Sequence, residues 1–482
     1  MSEHEPQRTS TPGIGLLGLV ALVISSSIGS GVFALSSDIA QAAAPGPALI
    51  AWLIVGAGFM MLANTFGRLS IERPDLNGLI AYAREGFGNF AGFISGWGYW
   101  LSIWIGAVAF GVMFVTALGY FIPALQGNLG IPGIVIISAV NWLLIALVNR
   151  GVEEASIVNA IVMCCKLVPI FAFIGLMAVL FDGQVFTEDF WGNVHAALNG
   201  QDDASIAQQI IDCLMVMMWV FVGMEGATVL GHRARRRSDV SRATVLGCTA
   251  LVIIYVAASI LPYGYLTRAE IASIGDPCMP LIFSVACGSA GGAFITAGLL
   301  VSILGAWLSY TMLASEAMLE MAEMRLLPRR FAELNINGAP TLSLIVTGAM
   351  TQILTIVMMF SSEAYQFAYS LCTASIVISW ALGAAYMVRL ARPRLSEPKM
   401  RSACLQAAIA CIFLVAAISL AGLELLALCC IAYVPGIWFY LRAQRQYGND
   451  RPLTRTEKLL AAVIVTAAIL AIALLATGQI TI

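Results

Sequence analysis

Residues 25–33 read SSSIGSGVF and lie in the middle of the first long apolar stretch of the chain. Serine and glycine are poor helix formers, and Gly29, Ser30 and Gly31 follow one another near the centre of this stretch. Inside a bilayer, however, a spanning segment has to satisfy its backbone polar groups internally, which an intact helix does best. The stretch therefore predicts a helix that is interrupted at the depth of the membrane.

The composition is that of a membrane protein. The chain has 482 residues, of which 60% are hydrophobic and 11% are charged, and its mean hydropathy is +0.89. A soluble protein carries about a quarter charged residues. Because the apolar runs also reach the roughly 20 residues that a membrane-crossing helix needs, we expect an all-α polytopic membrane protein without a cleavable signal peptide.

Apolar segments separated by charged or Pro/Gly-rich breaks predict 13 spans. Their limits are 14–36, 46–70, 87–123, 131–149, 155–181, 206–231, 243–265, 281–322, 341–360, 364–390, 402–422, 424–442 and 457–478.

The distribution of Lys and Arg predicts the orientation. If the N-terminal tail (1–13) is cytoplasmic, nearly all basic residues fall in cytoplasmic loops; Arg268 lies outside and Lys166 lies within a span. This asymmetry satisfies the positive-inside rule. We therefore expect a multi-pass protein of the cell (inner) membrane, in which the RARRR run (233–237) is a cytoplasmic loop and not a nucleic-acid-binding patch.

A second weak point lies five spans after the first, in WVFVGMEGATVL (219–230). Interruptions at equivalent positions of two five-span halves indicate an inverted repeat with a substrate site between the unwound helix centres. This pattern predicts a first repeat at 14–200, a second at 201–391 and C-terminal helices 11–13 at 392–482. The alternative is that the small residues only allow helices to pack closely.

Two ionisable residues lie deep in the predicted spans. Glu225 is part of the second break, and an intramembrane carboxyl is by default a candidate functional group, although it could also only cap the broken helix. Lys166, near the centre of 155–181, is the basic residue deepest in a span, where an ammonium needs carbonyls, a carboxylate or a cavity.

The two breaks, together with residues 304–348, resemble the amino acid–polyamine–organocation superfamily and, within it, the basic amino acid/polyamine antiporters. The likeness covers nearly all of 14–445, and the tail that begins YVPGIWFYLRAQRQYG (433–448) is most similar to the arginine/ornithine antiporter branch. The resemblance implies a LeuT-like 5+5 inverted-repeat core with broken helices 1 and 6. It also implies antiport of a cationic amino acid, arginine for ornithine, by alternating access.

The resemblance also implies a site. Main-chain groups of the two breaks would hold the α-carboxylate and α-amine, and Trp219 and Trp307 would stack on the side-chain cation and gate the pathway. Lys166 would take the place of a sodium ion beside the first break, and Glu225 would act in gating and pH response. Our candidate substrate-binding residues are Ser27, Ile28, Gly29, Ser30, Gly31, Tyr99, Trp219, Val222, Glu225, Trp307 and Ser370. Our candidate coupling and gating residues are Lys166, Glu225, Trp219 and Trp307.

One position departs from the resemblance. Where the arginine/agmatine antiporters carry asparagine in WIGN, this chain reads WIGA and has Ala107. A contact to the distal end of arginine is therefore missing or is made elsewhere, and AYSLCTAS on the tenth span offers Ser370, Cys372 and Thr373 as polar candidates.

Other function classes stay open or are disfavoured. Proton-coupled symport of a neutral or broad range of amino acids is the alternative transport function, whereas an intramembrane enzyme lacks the necessary clusters of titratable residues and a channel lacks a filter motif. We expect no cofactor and no metal site, because the chain has only three histidines and its cysteines show no ligand spacing. The expected partners are cationic amino acids and the lipid bilayer, with a homodimer as an option and no nucleic acid.

Overall fold

The computed structural model describes residues 14–127, 129–151, 155–192, 205–229, 234–361, 363–449, 452–477 and 479, with the side chains of 155–162, 164, 227 and 229 left aside. Within these ranges the ordered elements are helices, and the all-α polytopic class is confirmed. The expected cytoplasmic tail (1–13) lies outside the described residues.

The α-helices are numbered in chain order. They are α1 (Leu16–Ser27), α2 (Gly31–Ala42), α3 (Pro45–Glu72), α4 (Gly78–Phe87), α5 (Asn89–Leu118), α6 (Gly130–Asn149), α7 (Ala155–Leu180), α8 (Gly183–Glu188), α9 (Ile206–Trp219), α10 (Gly226–Val229), α11 (Arg237–Ile260), α12 (Arg268–Ile274), α13 (Cys278–Glu323), α14 (Thr341–Val357), α15 (Ala364–Ala391), α16 (Pro398–Ala421), α17 (Leu423–Gln446) and α18 (Arg455–Ala476).

Among the described residues, 10 helical segments are long and apolar enough to cross a bilayer. The pair α1 and α2, bent by 51° at the break between them, brings the number to 11. The predicted spans 155–181 and 206–231 correspond to α7 and to α9 with α10, whose described apolar stretches are shorter (Cys165–Leu180 and Ile206–Trp219). The count of 13 spans therefore stays a prediction.

The predicted end of the first span differs from the observed end of the helix, because polar residues there face the protein interior. The first span was predicted to end at residue 36, but α2 continues to Ala42. Its added residues include Ser37 and Asp38, which are buried, and the Ser37 hydroxyl donates to the carbonyl of Ala34 at 2.9 Å. Hydropathy alone ends the span too early, because buried polar side chains that are hydrogen-bonded continue the helix.

Helix α5 lies at the centre of the bundle. Both α13 and α15 pack along it, and α2 contacts α9, α11 and α13. At the periphery α17 packs on α18, the candidate span with the smallest buried share. The two helix breaks are consequently enclosed by the bundle, and Ser30 and Glu225 at their centres are buried.

Candidate substrate-binding site

The two interrupted helices touch each other at their breaks. The hydroxyl of Ser26, in the last turn of α1, donates to the carbonyl of Gly223 at 2.7 Å. Gly223 has a φ of 105°, and a Cβ there would lie 2.5 Å from the Ser26 carbonyl oxygen. Glycine is required at this crossing both for its backbone conformation and for the close approach of the two main chains.

The carbonyl end of α1 holds the buried lysine. Lys166 on α7 is 1% exposed, and its Nζ donates to the carbonyl of Ser25 at 2.8 Å and to that of Ile28 at 2.9 Å. Helix α1 ends at Ser27, so carbonyls of its last turn lack intrahelical partners and carry partial negative charge. The ammonium satisfies two acceptors that the break exposes.

Other freed groups of the first break are bonded by neighbouring helices. Ser302 on α13 donates to the carbonyl of Gly29 at 3.0 Å, and the hydroxyls of Ser30 and Tyr365 lie 3.2 Å apart. The hydroxyl of Ser27 is buried and has no hydrogen-bond partner among the described residues. A buried hydroxyl without a partner is costly unless a ligand or water completes it.

The glycines of the first break allow side chains of α5 and α9 to approach. A Cβ at Gly29 would lie 2.6 Å from the ring of Phe110. A Cβ at Gly31 would lie 2.8 Å from the side chain of Val220 and 2.9 Å from the indole nitrogen of Trp219. The break of helix 1 is thus packed directly against the end of α9.

The second break contains a buried carboxyl that is anchored in place. Glu225 Oε2 accepts from the backbone N–H of Gly223 and from the indole N–H of Trp380 on α15, both at 3.3 Å. The hydroxyl of Tyr255 donates to the carbonyl of Val220 at 2.7 Å, and Val222 donates to the carbonyl of Trp219 at 3.0 Å. Glu225 therefore links the break to α15 as well as lying at the candidate site.

Aromatic rings line the side of the site formed by α5, α9 and α15. The ring of Trp219 stacks on Tyr369 at 6.2 Å and lies 5.8 Å from Phe110, which in turn lies 4.8 Å from Tyr310. A Cβ at Gly106 would lie 3.2 Å from Trp219. An electron-rich surface of this kind attracts cations that have lost their water.

Comparison with known proteins gives full-length matches. The family model for amino acid permeases matches residues 14–469. An arginine/ornithine antiporter of Latilactobacillus sakei is 49% identical over 482 residues, which is 100% of both chains. The arginine/ornithine antiporter ArcD1 of Lactococcus lactis is 40% identical over 95% of this chain and 89% of its own. An arginine/agmatine antiporter of Chlamydia trachomatis is 34% identical over 98% of this chain and 99% of its own.

This chain belongs to the amino acid permease family. The resemblance seen in the sequence is thereby confirmed, and the family consists of membrane transporters and not of enzymes.

Three of the permease's predicted site residues make no side-chain hydrogen bond to either break among the described residues. Trp307 is fully buried and its ring faces Gly111 of α5, where a Cβ would lie 3.0 Å from it. Its indole nitrogen has no hydrogen-bond partner among the described residues. Tyr99 is buried on α5 and Ser370 half-buried on α15, and no hydrogen bond joins either side chain to a break within the described ranges.

The polar candidates predicted in AYSLCTAS (368–375) have different surroundings on α15. Thr373 donates to the carbonyl of Tyr369 in its own helix. Cys372 is buried, and a Cβ at Gly106 would lie 3.3 Å from its sulfur, next to the predicted departure at Ala107. The Cys372 sulfur and the ring of Trp219 therefore both lie beside Gly106.

Several residues that contact the breaks were not predicted from the sequence of the permease. They are Ser26, Phe110, Tyr255, Ser302, Tyr365, Tyr369 and Trp380. The four-residue spacing of Tyr365 and Tyr369 was a usable signal, because it places two phenols on one face of α15.

Proposed function

We propose that this permease exchanges arginine for ornithine by alternating access. The observation that carries the proposal is the direct contact of two interrupted helices at Ser26 and Gly223, which gathers main-chain groups and a buried hydroxyl at one place. Two full-length relatives named arginine/ornithine antiporters support the choice of substrates. The division into repeats at 14–200 and 201–391, followed by C-terminal helices at 392–482, belongs to the same proposal.

In the proposed complex the α-carboxylate binds at the first break. Helix α2 begins at Gly31, and the first N–H groups of a helix lack intrahelical acceptors and carry partial positive charge. The unpartnered hydroxyl of Ser27 adds a further donor close by. Ile28, Gly29 and Ser30 complete this end of the site through their main chain.

The α-amine and the side-chain cation occupy the other end of the proposed site. The amine lies near Val222 and Glu225, and the guanidinium of arginine or the ammonium of ornithine lies against Trp219. Trp307, Tyr99 and Ser370 complete the proposed substrate-binding set. Glu225 and the two indoles also serve as coupling and gating residues.

We propose that exchange needs no sodium ion. The Lys166 ammonium lies 2.8 Å and 2.9 Å from two carbonyl oxygens of the first break, which are hard oxygen ligands suited to a small cation. A fixed ammonium in that place supplies the positive charge without a dissociable ion. Lys166 is thus a coupling residue that keeps the end of α1 in position.

We also propose that the permease lies in the cell (inner) membrane with its N-terminus in the cytoplasm. The bias of Lys and Arg toward loops on one face supports this orientation. The bilayer surrounds the exposed apolar side chains of the outer helices, and a homodimer remains an expectation.

A second candidate function is proton-coupled symport of neutral or varied amino acids. The buried carboxyl of Glu225 favours it, because such a group can take up and release a proton as its surroundings change. Ala107 also leaves the distal pocket without the amide that the sequence resemblance implies for arginine/agmatine antiporters. Dependence on internal substrate separates the two functions.

The test is counterflow with the purified full-length chain in proteoliposomes. Uptake of labelled arginine into vesicles loaded with ornithine should exceed uptake into empty vesicles at least tenfold, and replacing external Na⁺ with choline should leave it unchanged. Equal uptake into loaded and empty vesicles, driven by an imposed proton gradient, would instead establish symport. A strict requirement for Na⁺ would refute the assignment of Lys166.

A further inference from the structure

A cavity of about 340 Å³ lies at the end of the bundle where α2, the end of α5, the loop after α12 and the start of α15 meet. We call it the vestibule; Gln41, Asp276, Glu363, Tyr365 and Gln366 are among its lining residues. Gln41 and Glu363 at its edge are exposed, so it communicates with the surface. Pockets that hold small ligands begin at about this size, and in the orientation proposed above the vestibule faces the outside of the cell.

One residue, Tyr365, separates the vestibule from the candidate site. Tyr365 lines the vestibule, yet it is only 6% exposed, and its hydroxyl lies 3.2 Å from the Ser30 hydroxyl at the centre of the first break. One side chain therefore borders the surface cavity on one side and the broken helix on the other.

A continuous layer of aromatic rings extends from this tyrosine. Tyr365 meets Tyr369 edge-on at 5.2 Å, and Tyr369 stacks on Trp219, which lies 5.8 Å from Phe110. The layer joins α15, α9 and α5 above the breaks. Among the described members of the layer, Tyr365 is the residue whose side chain forms a hydrogen bond with the first break, at Ser30.

We propose that Tyr365 is the outer gating residue of transport: its hydroxyl holds the aromatic layer against Ser30 and closes the site, and its outward rotation connects the vestibule with the breaks. The vestibule is then the place where a cationic amino acid waits before it enters. Asp276 and Glu363 line this place, and both carboxylates favour a guanidinium or an ammonium there.

Cys372 provides a natural reporter for the gate. It is buried on α15, seven residues after Tyr365 and therefore about two helical turns further into the protein. Its sulfur lies beside Gly106 at the Trp219 side of the site. A membrane-impermeant cationic methanethiosulfonate added to intact cells can reach it from outside only when the layer has opened.

The test measures the rate of Cys372 labelling by peptide mass spectrometry in the full-length chain. Tyr365→Phe keeps the ring and loses the hydroxyl, and it should speed labelling about threefold to tenfold, the change in open population that one lost hydrogen bond produces. Tyr365→Ala removes the ring and should exceed that rate. Tyr263→Phe is the matched control, because its buried hydroxyl also donates a single bond, to the carbonyl of Ala43 at 2.8 Å, but does not line the vestibule.

The sidedness of labelling separates gating from general loosening. In inverted vesicles the reagent reaches the cytoplasmic face, and there Tyr365→Phe should leave the Cys372 rate unchanged or lower. Equal rates from outside for the native chain and both Tyr365 variants would overturn the proposal, as would equal acceleration from both faces. Should Tyr365→Ala fail to insert, Tyr365→Phe alone decides.

The proposal rests on the proposed function for the identity of the substrate, but the labelling assay requires no transport. If counterflow fails while the outside-specific acceleration is observed, arginine/ornithine exchange is refuted and the gate stands. If counterflow succeeds and the acceleration is missing, the gate is refuted alone.

Discussion

Replacing Lys166 with methionine tests the link between the buried ammonium and the first break. The substitution removes the hydrogen bonds to Ser25 and Ile28 while it retains most of the side-chain volume. A hydrogen bond that involves a charged group contributes about 1.5–3 kcal/mol, so the pair contributes about 3–6 kcal/mol to holding the end of α1 in position. At 1.4 kcal/mol for each factor of ten, the population of the competent site falls about 10²- to 10⁴-fold.

Stability of the fold should respond differently from exchange. Burial of an ammonium costs several kcal/mol of lost hydration, and the methionine does not incur that cost. The desolvation cost that the methionine avoids is similar in size to the free energy lost with the two hydrogen bonds. We therefore expect the thermal midpoint of Lys166→Met to stay close to that of the native chain. A large loss of exchange with little loss of stability is the signature of a positioning role.

The assay is arginine/ornithine counterflow in proteoliposomes that contain equal amounts of inserted protein. Lys399→Met is the matched control, because Lys399 is exposed in the first turn of α16 and should tolerate the same change within about twofold. Exchange by Lys166→Met within tenfold of the native rate would refute the reasoning. Partial recovery in sodium but not in choline would support the idea that the amine stands in the place of a cation.

Three further changes follow from individual contacts. Gly223→Ala should lower exchange at least about thirtyfold. A residue with a side chain is strained by about 1–3 kcal/mol at a φ of 105°, and its Cβ would also collide with the facing carbonyl of α1. Gly175→Ala is the control and should be neutral, because its added methyl has nothing within 4 Å. Burial raises the pKa of Asp276 to about 6, so the vestibule loses negative charge as the external pH falls through that value. The external KM for arginine should therefore rise severalfold between pH 7.5 and 5.5, and Asp276→Asn should reduce this pH dependence. Ser302→Ala removes the donor to the first break and should slow exchange about fivefold, the effect of about 1 kcal/mol, whereas Ser309→Ala, which loses only a bond within its own helix, should not.

The parts of the site that could be predicted from the sequence are those with a strong local signal. Gly29-Ser30-Gly31 and the GMEG segment stand out because weak helix formers are unexpected at the centre of a span. Lys166 and Glu225 stand out because an ionisable group in lipid is expensive. In each case the anomaly lies in the residue itself, so no knowledge of neighbouring helices was needed.

The missed residues have no such anomaly. Serine at 302 and tyrosine at 255 are ordinary within a span, and each matters because its hydroxyl lies within 3.0 Å of a carbonyl on another helix. Their contribution to the site depends on distances between helices, which cannot be derived from the amino-acid composition or from the hydrophobic periodicity of the sequence. Trp307 was singled out by its residue type and by the resemblance, and the structure adds that its ring packs against Gly111 of α5; its role as a stacking surface stays a prediction.

The hydrogen bonds already formed at the two breaks predict which end of the substrate contributes most to selectivity. Carbonyls at Ile28, Gly29 and Gly223 already accept bonds from protein side chains, and Glu225 accepts two donors. At the first break the groups that remain for a ligand include donors, namely the first amides of α2 and the Ser27 hydroxyl. Donors select a carboxylate, so removing the α-carboxylate of arginine, as in agmatine, should weaken competition for exchange at least about tenfold, the cost of leaving buried donors unpaired. Competition by agmatine equal to that by arginine would show that the first break does not bind the carboxylate.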